Sequence, residues 1–320
     1  MRCVWKFIFF LILSSVFAVA AAEQSWSSWV QQLRSESIAQ GIRPEVFDQA
    51  FAGIHEPSKA VVRFDRTQPE KRLTFLEYRD TRADAYRIKI GRSAMQKNYV
   101  LLDQVSARYG VSPCYIASFW GLETSYGNYK GSFPVIKSLA TLAFDGRRSQ
   151  IFRKQLMYAL HILNEGHISL ADFKGEWAGA SGHPQFLPSS WYYYAVDADG
   201  DGKRDIWNNK ADAFSSIANY LVQHGWVSAQ PWGMVVTLPP NFNNALIANK
   251  EKKTVADWVA MGVTFHSNYA IDPKWDASII HPYGGPDLMV FNNFFVIMRW
   301  NRSNYYAGTV GYLADKLCYN

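Results

Sequence analysis

A carboxylic acid can act as a proton donor near neutral pH only where its surroundings hold the proton on it. Glu123 is the position where this sequence offers such surroundings. It lies in the run Phe119-Trp120-Gly121-Leu122-Glu123-Thr124-Ser125-Tyr126-Gly127. On a helix, Phe119, Trp120 and Tyr126 stand four and three residues before it and three after it, on its own face. An aromatic surrounding penalises the ionised form and raises the pKa. A place in the last helical turn acts in the same sense, because the negative end of the helix dipole disfavours an anion. The alternative is an exposed helical glutamate without a role. A second constellation is Asp197-Ala198-Asp199-Gly200-Asp201-Gly202-Lys203-Arg204-Asp205. Carboxylates at positions 1, 3 and 5 with glycine at 6 match the start of an EF-hand calcium loop. The twelfth position is Asn208 instead of glutamate. Asp212, opening the next helix, offers itself as the closing ligand. The alternative is a solvated acidic turn.

Other chemistries find no residues here. HExxH, CxxC and a glycine-rich phosphate loop are absent, and Gly179-Ala180-Ser181-Gly182-His183 has its second glycine one place too early for a nucleophile elbow. The seven histidines are scattered and read as surface or hydrogen-bonded residues.

These groups need elements to hold them. Ser112 can cap a helix with Pro113 in its first turn, and Cys114 to Tyr126 then run on until Gly127. A helix over Gln24–Gln40 stops at Gly41, a turn-rich stretch covers Arg63–Lys71, and a helical pattern runs from Leu73 to Gly110. Helical spacing marks Ile151–Leu163 and Asp212–His224, with Ala178–Pro188 as loop between them. After Trp226 the composition changes. Met234–Leu238 and Asp287–Phe291 read as strands around a helix over Thr254–Met261, and Ser303–Leu317 returns to helix. The fold class expected is mainly α (α+β), a helical body with a small β-rich insertion before the C-terminal helix.

The 320 residues are 48% apolar and 19% charged, which excludes disorder and leaves ample length for a core. Aromatics reach 16%, with 12 Trp, enough for a Trp-rich core or for a groove that stacks flat rings. Residues 1–22 carry Arg2 and Lys6, an apolar run from Phe7 to Phe17, and small residues before Glu23. That is a secretory signal pattern, too short to span a bilayer. Cys3 precedes the apolar run, so no lipid-anchored cysteine is expected. Removing the segment takes the formal charge from +6 to +4. Such a charge favours an anionic polymer or simply solubility, and no run of five basic residues points to nucleic acid. The remaining cysteines, Cys114 and Cys318, can pair in an oxidising compartment or stay as two buried thiols.

Taken together the chain resembles the B-type lytic murein transglycosylases, a glycoside hydrolase family with a lysozyme-like core. The landmarks run from Phe64-Asp65-Arg66-Thr67-Gln68-Pro69-Glu70 through Trp120–Gly127, Ser138–Asp145 and Ala178–Gly182 to Gln185-Phe186 with Pro188-Ser189-Ser190. Asn301, Ser303, Tyr306 and Ala307 close the pattern. The resemblance implies that Glu123 is the acid/base, and that Gln185, Ser190, Asn301 and Tyr306 bind substrate. It implies a structural Ca²⁺ held by Asp197, Asp199, Asp201, the carbonyl of Lys203 and Asp212. One extra residue precedes Asp212 relative to the family pattern. Glu176, before Trp177, stands where the family has a small hydroxyl residue; inside the groove it would raise the pKa of Glu123 or activate water, and the alternative is that it points to solvent.

The expected organisation is a signal peptide over 1–22, a lysozyme-like catalytic domain over 23–230 and a β-rich subdomain over 231–293. A strand and helix over 294–320 then return to the core. The expected activity is cleavage of the MurNAc-GlcNAc β-1,4 bond in peptidoglycan glycan strands, in the periplasm, with a 1,6-anhydromuramic acid product and no organic cofactor. The rivals are a hydrolytic muramidase on the same scaffold and a non-catalytic glycan binder. If the helices of Glu123 and Tyr306 line one groove, as the resemblance implies, their far ends bring Cys114 and Cys318 within reach of each other.

Overall fold

The structure, a computed structural model, describes residues 24–67, 73–248, 251–267 and 269–319. Residues 1–22, expected to be a signal peptide, lie outside them. Helices dominate. Two of them carry the organisation. Pro113–Thr124, called here the acid helix, is buried on nearly every side, with Ile116, Ala117, Ser118 and Phe119 wholly enclosed. Ser112 caps its start and Pro113 opens its first turn, as the sequence indicates. Asn304–Cys318, the closing helix, packs along it. Ser118 Oγ donates to the Val310 carbonyl at 2.7 Å, a polar tie inside the apolar interface. A buried hydroxyl without that acceptor costs roughly 1–3 kcal/mol.

Glycines let the closing helix approach its neighbours. A Cβ at Gly311 would lie 2.2 Å from Trp232 Cδ2, and one at Gly308 would lie 2.9 Å from Phe75 Cε2. Around this pair stand Ser149–Asn164, Val135–Phe144 and Lys210–Gln223, whose inward faces fill one continuous core.

The β-rich part is a five-stranded antiparallel sheet in the order Lys253–Thr254, Asp276–Ile280, Leu288–Val290, Gly233–Thr237, Thr264–Phe265. Its own small core gathers Met234, Val236, Trp258, Ile279 and Met289, and Trp258 donates to the Ala277 carbonyl at 3.0 Å. A second, two-residue pairing joins Phe133–Pro134 to Lys174–Gly175 inside the helical part.

Three expectations are corrected. Of the stretch Arg63–Lys71 read as turn-rich, Arg63–Arg66 is helical, because Ser58 caps a helix over Lys59–Arg66 and Asp65 takes ion pairs from Arg147 and Arg148, while 68–71 lie outside the described residues. The long pattern from Leu73 divides into Phe75–Arg82, Ala85–Lys97 and Tyr99–Tyr109, since Asp84 caps a new start and Asn98 ends the second helix. The strand expected after 294 is a helix, Asn292–Trp300; its apolar residues Phe294, Val296 and Ile297 are buried in the helical body.

Cys114 and Cys318 form a disulfide with Cα atoms 5.9 Å apart. It fastens the start of the acid helix to the end of the closing helix, across 204 positions of sequence. On the chain-entropy model such a closure contributes about 5 kcal/mol. Cys318→Ser is expected to lower the urea midpoint of the oxidised protein markedly, and reduction of the parent should reproduce that loss. Equal midpoints for parent and variant would show that the bridge contributes no stability.

Candidate active site

Glu123 stands one residue before the end of the acid helix. The backbone just beyond the helix is unusual. Ser125, Tyr126 and Gly127 all have positive φ, at 51°, 60° and 84°. Two of the three carry side chains, so the run stores strain of about 1–3 kcal/mol per residue. The turn sends Tyr126 back along its own helix, where its ring crosses Gly121. A Cβ there would lie 2.6 Å from Tyr126 Cζ. This is why a glycine interrupts an otherwise unbroken helix.

The Glu123 carboxylate is half-buried and asymmetrically held. Trp300 Nε1 donates to Oε1 at 2.9 Å, and the Tyr306 hydroxyl donates to the same oxygen. Oε2 has no protein donor among the described residues. Desolvation raises the pKa from 4.5 to about 7, against the opposing pull of Tyr306, Trp300 and the Arg82 guanidinium. With Oε1 occupied by two donors, the proton belongs on Oε2. Phe119 stacks at a tilt on Trp300, 4.5 Å between centroids, and Phe186 and Tyr220 complete an aromatic wall behind it. The aromatic neighbourhood foreseen from the sequence is therefore built largely by residues distant in the chain. Trp120, one of the local three, points elsewhere: its Nε1 donates to His183 Nδ1 at 3.0 Å. His183 is held neutral, its pKa lowered to about 4 by burial and by Lys130 and Lys210.

Glu176, which precedes Trp177, is half-buried, and that burial raises its pKa.

The other candidates fall in three places. Tyr306 touches the acid directly. Gln185 sits in a loop with φ of 49°, fixed there because its Nε2 donates to the Gly182 carbonyl at 2.9 Å and the Lys130 carbonyl at 3.1 Å. Its Oε1 is buried without a partner. Asn301 is exposed at the end of Asn292–Trp300, adjoining Trp300. Ser190 lies in the first turn of Pro188–Tyr194 with no partner for its hydroxyl among the described residues, whereas Ser189 is engaged with Gln155. Trp300, Arg82 and His183 were missed by the sequence reading. Only Trp300 had a signal, as the residue before Asn301.

In the acidic loop, carboxylate oxygens of Asp197, Asp199 and Asp212 lie within 4.8 Å of one another. Asp201 is outside this trio, its Oδ1 accepting the Lys203 N–H at 2.8 Å. Asp212 is wholly buried; burial pushes its pKa up, and the charges of Asp199 and Asp197 push it further. It accepts backbone N–H groups of Ala198 and Asp205 at 2.8 and 2.7 Å, and makes no ion pair with a Lys or Arg among the described residues. Crowded hard oxygens with no protein cation fit a Ca²⁺ ion. The loop is wired to the rest of the site: His183 N–H bonds the Ile206 carbonyl at 2.9 Å, and Trp207 Nε1 donates to Ser181 Oγ at 3.1 Å, beside Gln185-Phe186.

A desolvated carboxyl with one oxygen free of protein donors among the described residues, set at the end of a buried helix in a mainly helical body, has what a general acid/base of the glycosidase-like kind requires. The sequence matches the family model described as the transglycosylase SLT domain over residues 25–315, and the chain belongs to that family. It is 33% identical to the membrane-bound lytic murein transglycosylase B of Escherichia coli (strain K12) over 212 residues, which are 65% of this chain and 57% of that protein. The match thus spans less than two thirds of that relative's length. In structure it is similar to SltB3 from Pseudomonas aeruginosa, solved in complex with NAG-anhNAM-pentapeptide. The TM-score is 0.88 at 40% identity, covering 92% of this chain and 80% of that one. It is also similar to Escherichia coli Slt35, solved in complex with calcium, with TM-score 0.75 and 27% identity over 90% of this chain and 92% of that one.

The raised pKa has a consequence for stability. Glu123 holds its proton more tightly folded than unfolded, so ionising it opposes folding. The penalty is absent below about 4.5, grows through the interval to about 7, and is complete above it. Glu123→Gln is therefore expected to melt at a higher temperature than the parent at pH 8 and at the same temperature at pH 4. A variant no more stable at pH 8 than at pH 4, relative to the parent, would contradict the desolvation.

Proposed function

We propose that this chain is a peptidoglycan lytic transglycosylase working in the periplasm, which cleaves the MurNAc-GlcNAc β-1,4 bond of glycan strands without water. The observation that carries the reading is the lone carboxyl with one oxygen anchored and the other free. A hydrolase of the usual kind needs a second carboxylate, as nucleophile or as base for water; the transglycosylase reaction needs none. The sugar itself supplies what is missing. Oε2–H of Glu123 protonates the bridging oxygen as the bond to C1 of the muramic acid breaks. The carbonyl oxygen of that sugar's acetamido group stabilises C1 from the opposite face. The departing GlcNAc-bearing strand leaves with the proton. Glu123, now a carboxylate, takes the proton of the C6 hydroxyl while O6 attacks C1. The new C1–O6 bond closes the 1,6-anhydro ring, and the glutamic acid is restored.

A pKa near 7 serves both half-steps, since the group must give and regain a proton at similar pH. Tyr306 and Trp300 hold Oε1 in each protonation state. Gln185 with its unpartnered Oε1, Ser190 with its unengaged hydroxyl and exposed Asn301 are the hydrogen-bonding residues we assign to the glycan. SltB3 from Pseudomonas aeruginosa, solved with NAG-NAM-pentapeptide and with NAG-anhNAM-pentapeptide, supports this choice of substrate. Asp197, Asp199 and Asp212, with Asp201 and the Lys203 carbonyl, would hold Ca²⁺, whose contribution is to neutralise the loop's carboxylates and not to enter the reaction. No helix among the described residues is long and apolar enough to cross a membrane.

Mass spectrometry of digested sacculi tests the chemistry. The expected fragments end in anhydro sugars, one water lighter than hydrolytic fragments, and Glu123→Gln should lose at least ~100-fold in rate while still binding glycan. Reducing-end products would establish a hydrolase instead, and intact sacculi with bound protein a non-catalytic binder.

Calcium is tested separately. Millimolar Ca²⁺ should raise the melting temperature over that in chelator, and Asp212→Asn should remove most of the increment. Identical melting in Ca²⁺ and chelator would count against an ion in the loop.

A further inference from the structure

The helix Pro188–Tyr194 carries Ser190 in its first turn and exposed aromatic residues towards its end. Tyr193 is 60% exposed and Tyr192 40%. Both meet Tyr158 of the neighbouring helix Ser149–Asn164. Ring centroids are 5.1 Å apart for Tyr158 and Tyr192, 5.8 Å for Tyr158 and Tyr193, and 5.6 Å for Tyr192 and Tyr193. The cluster is held in place from two sides. The hydroxyls of Tyr158 and Tyr193 are hydrogen-bonded at 2.6 Å. Arg204 donates to the Tyr192 carbonyl at 3.2 Å, and its guanidinium lies 4.0 Å from the Trp191 ring and 5.9 Å from that of Tyr192. Arg204 belongs to the acidic loop, which thereby steadies these rings as it steadies Gln185. Side chains fixed before a ligand arrives lose little freedom on binding it. The proton transfers at Glu123 make no use of the cluster.

Its surroundings select a partner. Tyr158 also forms a wall of a groove of about 440 Å³, with Gln40, Gln150, Lys154, Met157 and His161, so the groove is mainly polar. Its carboxylate, Glu36, is paired with Arg153. Lys154, 6.0 Å from the Tyr158 ring, has no carboxylate partner among the described residues. A protein partner needs about 800 Å² on each side with an apolar centre, whereas amides and charges adjoin these rings. A sugar offers C–H groups on its faces and hydroxyls around its rim, and needs an aromatic plane with polar groups at the edge. Position adds to the chemistry. Ser190 and Tyr193 stand three residues apart, on one face of their helix. The cluster therefore continues from a residue already assigned to the glycan.

We propose that Tyr158, Tyr192 and Tyr193 form an outlying subsite on which a sugar ring of the glycan strand stacks, beyond the sugars held at Glu123, with Lys154 beside it for a carboxylate of the strand. The subsite rests on the reading of the chain as a glycan-cleaving enzyme. It makes a strand long enough to reach from Glu123 to Tyr193 a tighter ligand than a fragment that fills the acid site alone.

The test uses the full oxidised chain carrying Glu123→Gln, with glycan strands freed of their peptides by an amidase as probe. Adding Tyr193→Ala should weaken strand binding about tenfold, as expected for one lost stacking contact. Tyr193→Phe, which keeps the ring, should retain most of the affinity. In the chain with Glu123→Gln alone, the ring resonances of Tyr193 should shift when strands are added, and this measurement decides the matter if Tyr193→Ala fails to fold. Strands bound equally well with and without Tyr193→Ala, or unmoved Tyr193 resonances, would overturn the subsite and leave the reading of Glu123 standing. Strands not bound by the Glu123→Gln chain at all would overturn both. Self-association of the chain that Tyr193→Ala abolishes, with strand affinity unaltered, would make the cluster a protein contact and overturn the subsite.

Discussion

The structure depends on keeping one carboxyl out of water while leaving one of its oxygens accessible. Glu123 achieves this through Oε1, which receives Trp300 Nε1 and the Tyr306 hydroxyl from two separate helices. Desolvation alone would hold the proton too tightly for the group to give it up readily. Two donors alone would make it an ordinary carboxylate. Their balance sets a pKa of about 7, the range where a group can give and retake a proton with little driving force lost.

That balance needs the acid helix and the closing helix to keep their spacing. The Ser118–Val310 hydrogen bond fixes it near the middle. The Cys114–Cys318 bridge fixes it at the far end. Gly308 and Gly311 allow Phe75 and Trp232 to brace the closing helix from behind. The strained turn after Glu123 belongs to the same scheme: it ends the helix abruptly, so that the carboxyl stands in its last turn and Tyr126 packs back on Gly121. Strain persists at such a turn because the surrounding packing determines it many times over. The acidic loop does comparable work for Gln185, through Ile206 and Trp207.

Much of this was legible in the sequence, for physical reasons that differ by residue. Ser112-Pro113 and Gly127 mark the acid helix because capping and left-handed turns demand particular residue types. The Asp197–Asp201 spacing shows its loop because hard-cation ligation has a short-range geometry. The environment of Glu123 was legible only in direction. Its raised pKa was foreseen from Phe119, Trp120 and Tyr126, but the polar partners are Trp300 and Tyr306, 177 and 183 positions away. Trp120 is turned to His183. No local pattern shows which face a side chain takes once tertiary packing decides it. Glu176 is a similar case: its sequence position leaves open whether the side chain enters the groove or points to solvent, and in the folded chain it is half-buried, with its pKa raised by that burial. The helix over Asn292–Trp300 reads as strand from its sequence because a short apolar run suits either period, and only its burial in the helical body distinguishes them.

The central claim is that Glu123 is a desolvated acid whose proton is held near neutrality. Site-resolved titration of its carboxyl carbon by NMR in the ligand-free protein tests this most directly. The predicted midpoint is near 7, with the signal still that of a protonated acid at pH 5.5. A midpoint close to the ordinary value of 4.5 would show a solvated carboxylate and contradict the claim.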